Sequence, residues 1–292
     1  MKRFFIVLVI LLLQCGVLRA EDWPNVTDPF KVFEAGYIQV VGKSASGQKE
    51  YGAMRSAKTL AERDILEVLE GITIYGQTKV RDAMLASDEI QATVKGFLRG
   101  AVECGSEFFP GQGYAKVCMR LYLRGKDGLY DRVLPTVEDK GLKPIPKPVF
   151  DPSPKLIHQA ASGSIPVVVD ESGAPVAKTR SYDGIIVDVK DYQFKPAVVN
   201  RILTDKQEVV FEPARVISQV LIERGCGGFT TDMKKARALL ESWGSKSPMT
   251  VKSKQVIDLT DVEVSPEDAA VIYVQDEKNN ILAQARVVFV LK

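Results

Sequence analysis

Histidine is almost absent from this 292-residue chain, and His158 is the single one. A Ser-His-Asp or Cys-His reaction centre would have to recruit it. It stands in a proline-rich stretch, with neither a serine motif nor an acid beside it. The same scarcity speaks against the usual zinc ligand sets, because one histidine and scattered cysteines do not compose them. An excess of either charge is missing too: 39 Lys+Arg face 37 Asp+Glu. Nucleic-acid binding rests on many cationic contacts to phosphates, so a nucleic acid is not expected as a partner. The Walker motif and the full dinucleotide fingerprint are also lacking. Ser46-Gly47-Gln48-Lys49 fits S-x-x-K, but its S-D-N and K-T-G companions do not occur, which makes it a loop. Asp276-Glu277-Lys278-Asn279-Asn280 lacks calcium-loop spacing and reads as a hairpin turn before the last strand. No cofactor, metal or catalytic residue is predicted.

What is present begins at residue 1. Lys2 and Arg3 precede an unbroken apolar run over residues 4–13, and Leu18-Arg19-Ala20 precedes Glu21-Asp22. This is the pattern of a secretory leader cut after Ala20. The run is half the roughly 20 residues a membrane span requires. Removing Lys2, Arg3 and Arg19 with the leader leaves 36 bases against 37 acids, a net charge of −1. The alternative to cleavage is a lipid on Cys15, since Leu12-Leu13-Gln14-Cys15 loosely resembles a lipobox; Gln14 is large for the position before the modified cysteine.

Export into an oxidising compartment permits a disulfide. Cys104 and Cys118 flank the turn Pro110-Gly111-Gln112-Gly113 between two strand-like runs. Closing that 15-residue loop would add about 3 kcal/mol. Strand alternation argues partly against the pair, because Cys118 points with Lys116 and Arg120, and Cys104 with Val102 and Phe108. The two meet only if the sheet has two buried faces or if Gly105 marks a bulge. Cys226 is then left unpaired. The alternative for all three is burial as small hydrophobes.

Residues 35–43 read as a strand. A long helix follows, with Met54, Ala57, Ala61, Ile65 and Leu69 on one stripe and Gly71 as its stop. A strand is expected over 72–75, a helix after the cap Ser87 and before Gly100, and paired strands at 101–108 and 114–123. The stretch from Asp139 carries Pro144, Pro146, Pro148, Pro152 and Pro154, and predicts an extended linker or surface strap, long enough to separate two domains. Beyond it, strands are expected at 165–169 and 184–189, and a helix from Asp232 to Gly244. Further on come an extended run over 249–257, a helix started by Ser265-Pro266-Glu267-Asp268, and a last strand at 285–291. The predicted class is α+β: a leader over 1–20, an α+β domain over 21–138, a proline-rich linker over 139–164 and a second α+β domain over 165–292.

Three stretches of the first half, AMRSAKTLAERDILEVLEGITI (53–74), DEIQATVKGFLRGA (88–101) and YAKVCMRLYL (114–123), resemble in order and spacing the bacterial twenty-kilodalton lipoprotein family. That fold is similar to the N-terminal domain of flagellar assembly protein T. In the second half, residues 183–203, 260–272 and the final strand look similar to the C-terminal regions of exported relatives. The resemblance covers packing features and carries no catalytic residues. It implies envelope placement and an assembly or surface role, with envelope or flagellar proteins as partners and peripheral association with a membrane. The competing expectation is a periplasmic hydrolase or small-ligand binder. Two surface features belong with these expectations: Tyr37, Tyr75, Tyr114 and Tyr122 as a binding surface on the first sheet, and Lys234, Lys235 and Arg237 as a contact for anionic lipid or wall polymer, or simply a solvated helix face.

Overall fold

The computed structural model describes residues 23–162, 168–169, 175–176 and 181–292. Residues 1–22, including the leader, its cleavage point and Cys15, lie outside them, as do 165–167 of an expected strand.

The first half opens with α1 (Pro29–Ala35), capped by Asp28, whose carboxylate accepts from Lys31 N. Strand β1 (Tyr37–Lys43) then leads to the long helix α2 (Glu50–Gly71). A small hairpin, β2 (Thr73–Tyr75) with β3 (Thr78–Lys79), precedes helices α3 (Val80–Ala86) and α4 (Asp88–Leu98). Strands β4 (Val102–Phe109) and β5 (Tyr114–Tyr122) complete an antiparallel sheet of order β1-β5-β4. Helix α2 buries Ala57, Ala61, Ile65 and Leu69 of the expected stripe against β1 and β5, with Ala53 as the buried residue of its first turn and Met54 only half-buried. The small residues let helix and strand touch, and Gly42 completes the contact: a Cβ there would sit 2.0 Å from the carbonyl oxygen of Ala57. Ser87 caps α4 as expected, its hydroxyl accepting from Ile90 N. Gly71 departs from expectation. It is the last residue of α2, and Ile72 in extended backbone follows it, so the helix ends without a left-handed glycine.

The two sulfurs of Cys104 and Cys118 are bonded. The register slips between Glu103 and Gly105, and Gly105 opposes Cys118. Cys104 is therefore the extra residue of a bulge, which turns it toward a neighbour that strict alternation would deny it. Trp23 lies over Gly105, where a Cβ would come within 2.1 Å of the indole.

After the short helices α5 (Leu129–Arg132) and α6 (Leu134–Asp139) comes the proline-rich stretch. It runs as a strap along the fold. Val209 N donates to Pro148 O, Phe150 N donates to Val209 O, and Phe150 and Pro152 are buried. Prolines block a continuous ladder but leave the amide of Phe150 free to make one bridge. From Pro154 the chain is helical rather than extended: α7 (Pro154–Ser162) follows Ser153 and packs on a later helix. Pro154 stands at the first helical position, where proline is tolerated. His158 is on α7 and exposed.

The pair β6 (Val168–Val169) and β7 (Pro175–Val176) precedes the strands of the second half. These are β8 (Gly184–Asp188), β9 (Arg201–Leu203), β10 (Val209–Phe211), β11 (Gly228–Thr230), β12 (Pro248–Lys252), β13 (Gln255–Ile257), β14 (Asp261–Glu263) and β15 (Val287–Val290). Interspersed are α8 (Ser218–Arg224), α9 (Met233–Ser242) and α10 (Pro266–Asn279). One sheet, β11-β15-β8-β12, is wholly parallel; the other has order β10-β9-β14-β13. The expected extended run 249–257 is two strands in different sheets, broken where Ser253 N and Oγ both donate to Asp188 O. Residues 276–280 are not a hairpin turn. They form the last turn of α10, closed by left-handed Asn280, with Leu282 N donating to the Asp276 carboxylate.

The inner strands of the parallel sheet, β8 and β15, are buried on both faces. Helix α9 covers Ile186, Val288 and Val290 with Ala236 and Leu240. On the other face Phe229 and Phe289 stack with Phe194, and Phe33 of α1 meets Phe229 edge-on at 5.5 Å. The halves are further joined by Val198 N to Thr73 O at 3.0 Å, Val199 N to Ile74 O at 2.8 Å, and Gly125 N to Ile222 O at 2.7 Å. One buried cluster thus runs from Val32 to Leu291 and draws on both halves. Gly42→Ala tests the tightest contact of the first layer: overpacking there is expected to cost about 1–3 kcal/mol, read as a lower midpoint in urea unfolding with an unchanged slope.

Candidate functional site

Where the β2–β3 hairpin of the first half meets the β13–β14 turn and the proline strap, a cleft of about 370 Å3 opens. Tyr75, Gly76 and Gln77 form one wall, Pro144, Ile145 and Lys147 the strap side, and Asp258, Thr260, Asp261 and Arg201 the second-half side. At its floor Arg201 and Asp261 stand opposite each other on paired parallel strands β9 and β14. Their side chains are only 7% and 6% exposed. Arg201 donates from Nε at 3.0 Å and from Nη2 at 2.5 Å to the same carboxylate oxygen, Oδ2, and from Nη1 to Ile145 O at 3.0 Å. The buried charge is satisfied, as it must be to avoid a large desolvation penalty, and the same guanidinium fastens the strap.

The other polar groups are committed as well. Thr260 Oγ1 accepts from Gly76 N at 2.8 Å, so a side chain of the second half pins the hairpin of the first. Lys147 Nζ is held by Gln207 Oε1. The β13–β14 turn closes with Thr260 N donating to Ile257 O, and its central residues, Asp258 and Leu259, have φ of 48° and 68°. Such a turn suits Asn-Gly. A leucine there is strained by roughly 1–2 kcal/mol, and it is held because Leu259 O accepts from Lys195 N at 2.8 Å. Asp258 projects an exposed carboxylate at the rim with no ion pair among the described residues. Chemically the cleft offers carboxylate acceptors, an aromatic ring and an exposed aliphatic side chain. Thr260 and Asp261 are already engaged.

On the other side of the strap a hollow of about 270 Å3 is lined by Glu138, Lys143, Lys147 and Glu212. Burial pushes the Glu138 carboxyl above its usual range; Lys143 opposes this and the charges of Asp139 and Glu212 add to it. Cys226 is buried, its Sγ 3.3 Å from Asn200 O, and burial pushes its thiol up to about 12.

A second surface is the outer face of the first sheet. Of the four tyrosines expected on one surface, Tyr37, Tyr114 and Tyr122 share this face, whereas Tyr75 lines the cleft. At one end Arg120 stacks 4.4 Å from the Tyr37 ring centroid and 5.8 Å from that of Tyr122, and donates to Gln39 Oε1. At the other end Lys43 lies 4.6 Å over Tyr114 and Lys116 lies 5.6 Å over Phe109, the two rings being stacked at 4.5 Å. The Ser46–Lys49 loop packs on the β4–β5 turn, with Gly47 N donating to Gln112 O and Gln48 N to Gly113 O. Lys234, Lys235 and Arg237 are exposed on α9, with Lys235 3.8 Å from Glu34 of the first half.

Sequence reasoning did not single out Arg201, Asp258 or Asp261, because the partners lie 60 residues apart and no local motif marks them. The one local trace is the Asp-Leu-Thr-Asp run 258–261. Arg201→Met or Asp261→Leu alone is expected to destabilise by about 3–5 kcal/mol, and the double variant to recover most of that loss, as read in denaturant unfolding. Cys226 is expected to resist alkylation in the native protein at pH 8 and to react at once in denaturant, a difference mass spectrometry reports.

Residues 184–292, just over a third of the chain, match the family described as Treponema pallidum Tp0624, second domain. No curated protein matches the chain. The matched stretch begins at β8 and contains Arg201, Asp258 and Asp261, so the second-half side of the cleft lies within it.

Proposed function

We propose that this is an exported, non-enzymatic protein of the cell envelope that docks a partner protein at the cleft between its halves. The observation that carries the reading is the make-up of that cleft. Its acid at the floor is tied to Arg201, its hydroxyl is tied to Gly76, and what remains open are Tyr75, Pro144, Asp258 and the side chain of Ile145, which is 80% exposed. An aromatic and an aliphatic anchor beside unreacted acceptors suit a docked segment better than a bond to be cleaved. The leader-like residues 1–20 and the Cys104–Cys118 disulfide support export. The likeness of the first half to the lipoprotein family and to the flagellar assembly domain supports the outer membrane or the flagellum as the setting, by fold analogy alone.

The cleft volume favours a second reading, since about 370 Å3 is also the size of a small-ligand pocket. One experiment separates the two. A photo-cross-linking residue replaces Ile145 in the full chain in its native cells, with the same residue at Leu85, also exposed, as the control. Docking predicts an adduct with one defined envelope protein from position 145 only, lost when Tyr75→Ala is added. Adducts equal at both positions, or none at 145, overturn it. A small molecule retained in native mass spectrometry and displaced by Tyr75→Ala would instead favour the ligand pocket.

A further inference from the structure

The outer face of the β1-β5-β4 sheet carries an electrostatic cost that the fold does not need. Lys43 and Lys116 are direct register partners on adjacent strands, and like charges placed opposite one another destabilise a sheet. Arg120 stands four residues further along β5 on the same face, about 13 Å away at the rise of a strand. Lys43 and Arg120 have no ion pair among the described residues, and Glu107 lies opposite Lys116 in register. Each cation instead leans on a ring: Tyr114, Phe109, Tyr37 and Tyr122. A tight anion site within the chain is therefore not what these cations serve.

We propose that this face lies on an anionic phospholipid surface. Charge complementarity is the first argument: three cations and one acid leave the face net positive, and cationic side chains near a bilayer are drawn to anionic headgroups. The rings are the second. Tyrosine and tryptophan at headgroup level bury an apolar body and keep a polar edge wet, and here Tyr122, Tyr37 and Trp23, beside the apolar ring of Phe109, are all exposed or half-buried on one face. The third is chain geometry. Trp23 enters the fold across this face, over Gly105, and Gln39 holds the Pro24 carbonyl against it. Cys15 precedes Trp23 by eight residues, at most about 29 Å of extended chain, so a lipid on Cys15, the alternative to leader cleavage, would hold this side of the protein toward the membrane. The inference concerns a different surface from the cleft and stands or falls apart from the docking reading.

The test is flotation of the purified chain with vesicles of equal parts phosphatidylglycerol and phosphatidylcholine, against phosphatidylcholine alone, at about 50 mM and about 500 mM salt. Binding is expected to the anionic vesicles at low salt and to disappear at high salt. Each cation contributes about fivefold in partitioning, so Lys43→Gln loses about fivefold and the triple variant Lys43→Gln/Lys116→Gln/Arg120→Gln about a hundredfold. Lys234→Gln/Lys235→Gln/Arg237→Gln removes the same charge from α9 and is expected to bind undiminished. The exposed Lys43 variant keeps the test decisive if the triple variant unfolds. Binding equal on both vesicles, binding to neither, or equal loss in the α9 control overturns the proposal. Retention of soluble polyphosphate without flotation overturns it in favour of a soluble anion.

Discussion

A parallel sheet cannot leave a face in water, and half of the cover for this one comes from elsewhere in the chain. Strand β15 is buried throughout and β8 up to its last residue, Asp188, which is why both read as nearly continuous apolar runs. Helix α9 takes one face. The other is closed by Phe194 and by Phe33, a residue more than 150 positions upstream of the strands it shields. Fixing Phe33 on Phe229 fixes α1, and with it the strand that follows through the left-handed turn at Gly36. The two halves therefore cannot drift, and the cleft between them keeps its shape.

That rigidity decides how the cleft's unusual features are to be understood. A buried Arg201–Asp261 pair is a poor stabiliser compared with an apolar pair of the same volume. Its value lies in position: one guanidinium orders β9, β14 and the strap in a single set of hydrogen bonds. The left-handed Asp258-Leu259 turn is likewise a local cost carried by neighbours that over-determine it. Walls held in advance lower the ordering cost of whatever binds.

Much of the local structure was legible because local chemistry fixes it. Ser87 and Ser265 cap helices where their side chains promised, the alanine stripe of α2 meets the sheet, and the β4–β5 hairpin closes around its glycines. Asp28-Pro29 carried an equally good start for α1 that went unread ahead of so short a helix. The prolines of 144–154 left two readings open, a linker and a surface strap, and the structure has the strap for a physical reason. They exclude a continuous ladder, yet one free amide at Phe150 suffices to sew the strap to β10. The cleft was not legible at all, because its three walls come from segments separated by tens to more than a hundred residues and meet only through the shared core.

The disulfide joins these two scales. Alternation alone sends Cys104 and Cys118 to different faces, and only the bulge before Gly105 brings them together. The same bulge leaves a glycine-sized gap on the outer face, and the indole of Trp23 fills it. A side chain at Gly105 would expel Trp23, loosening the segment whose Pro24 carbonyl and Asn25 side chain bond Gln39 and Val41 of the edge strand β1. One inserted residue thus sets the covalent cross-link, the path of the entering chain and the spacing of the two cation–aromatic groups on either side of it. A face built by such interdependent choices, while tolerating two lysines in direct opposition, has local and global preferences in conflict at one place, and that is where an outside partner is to be sought.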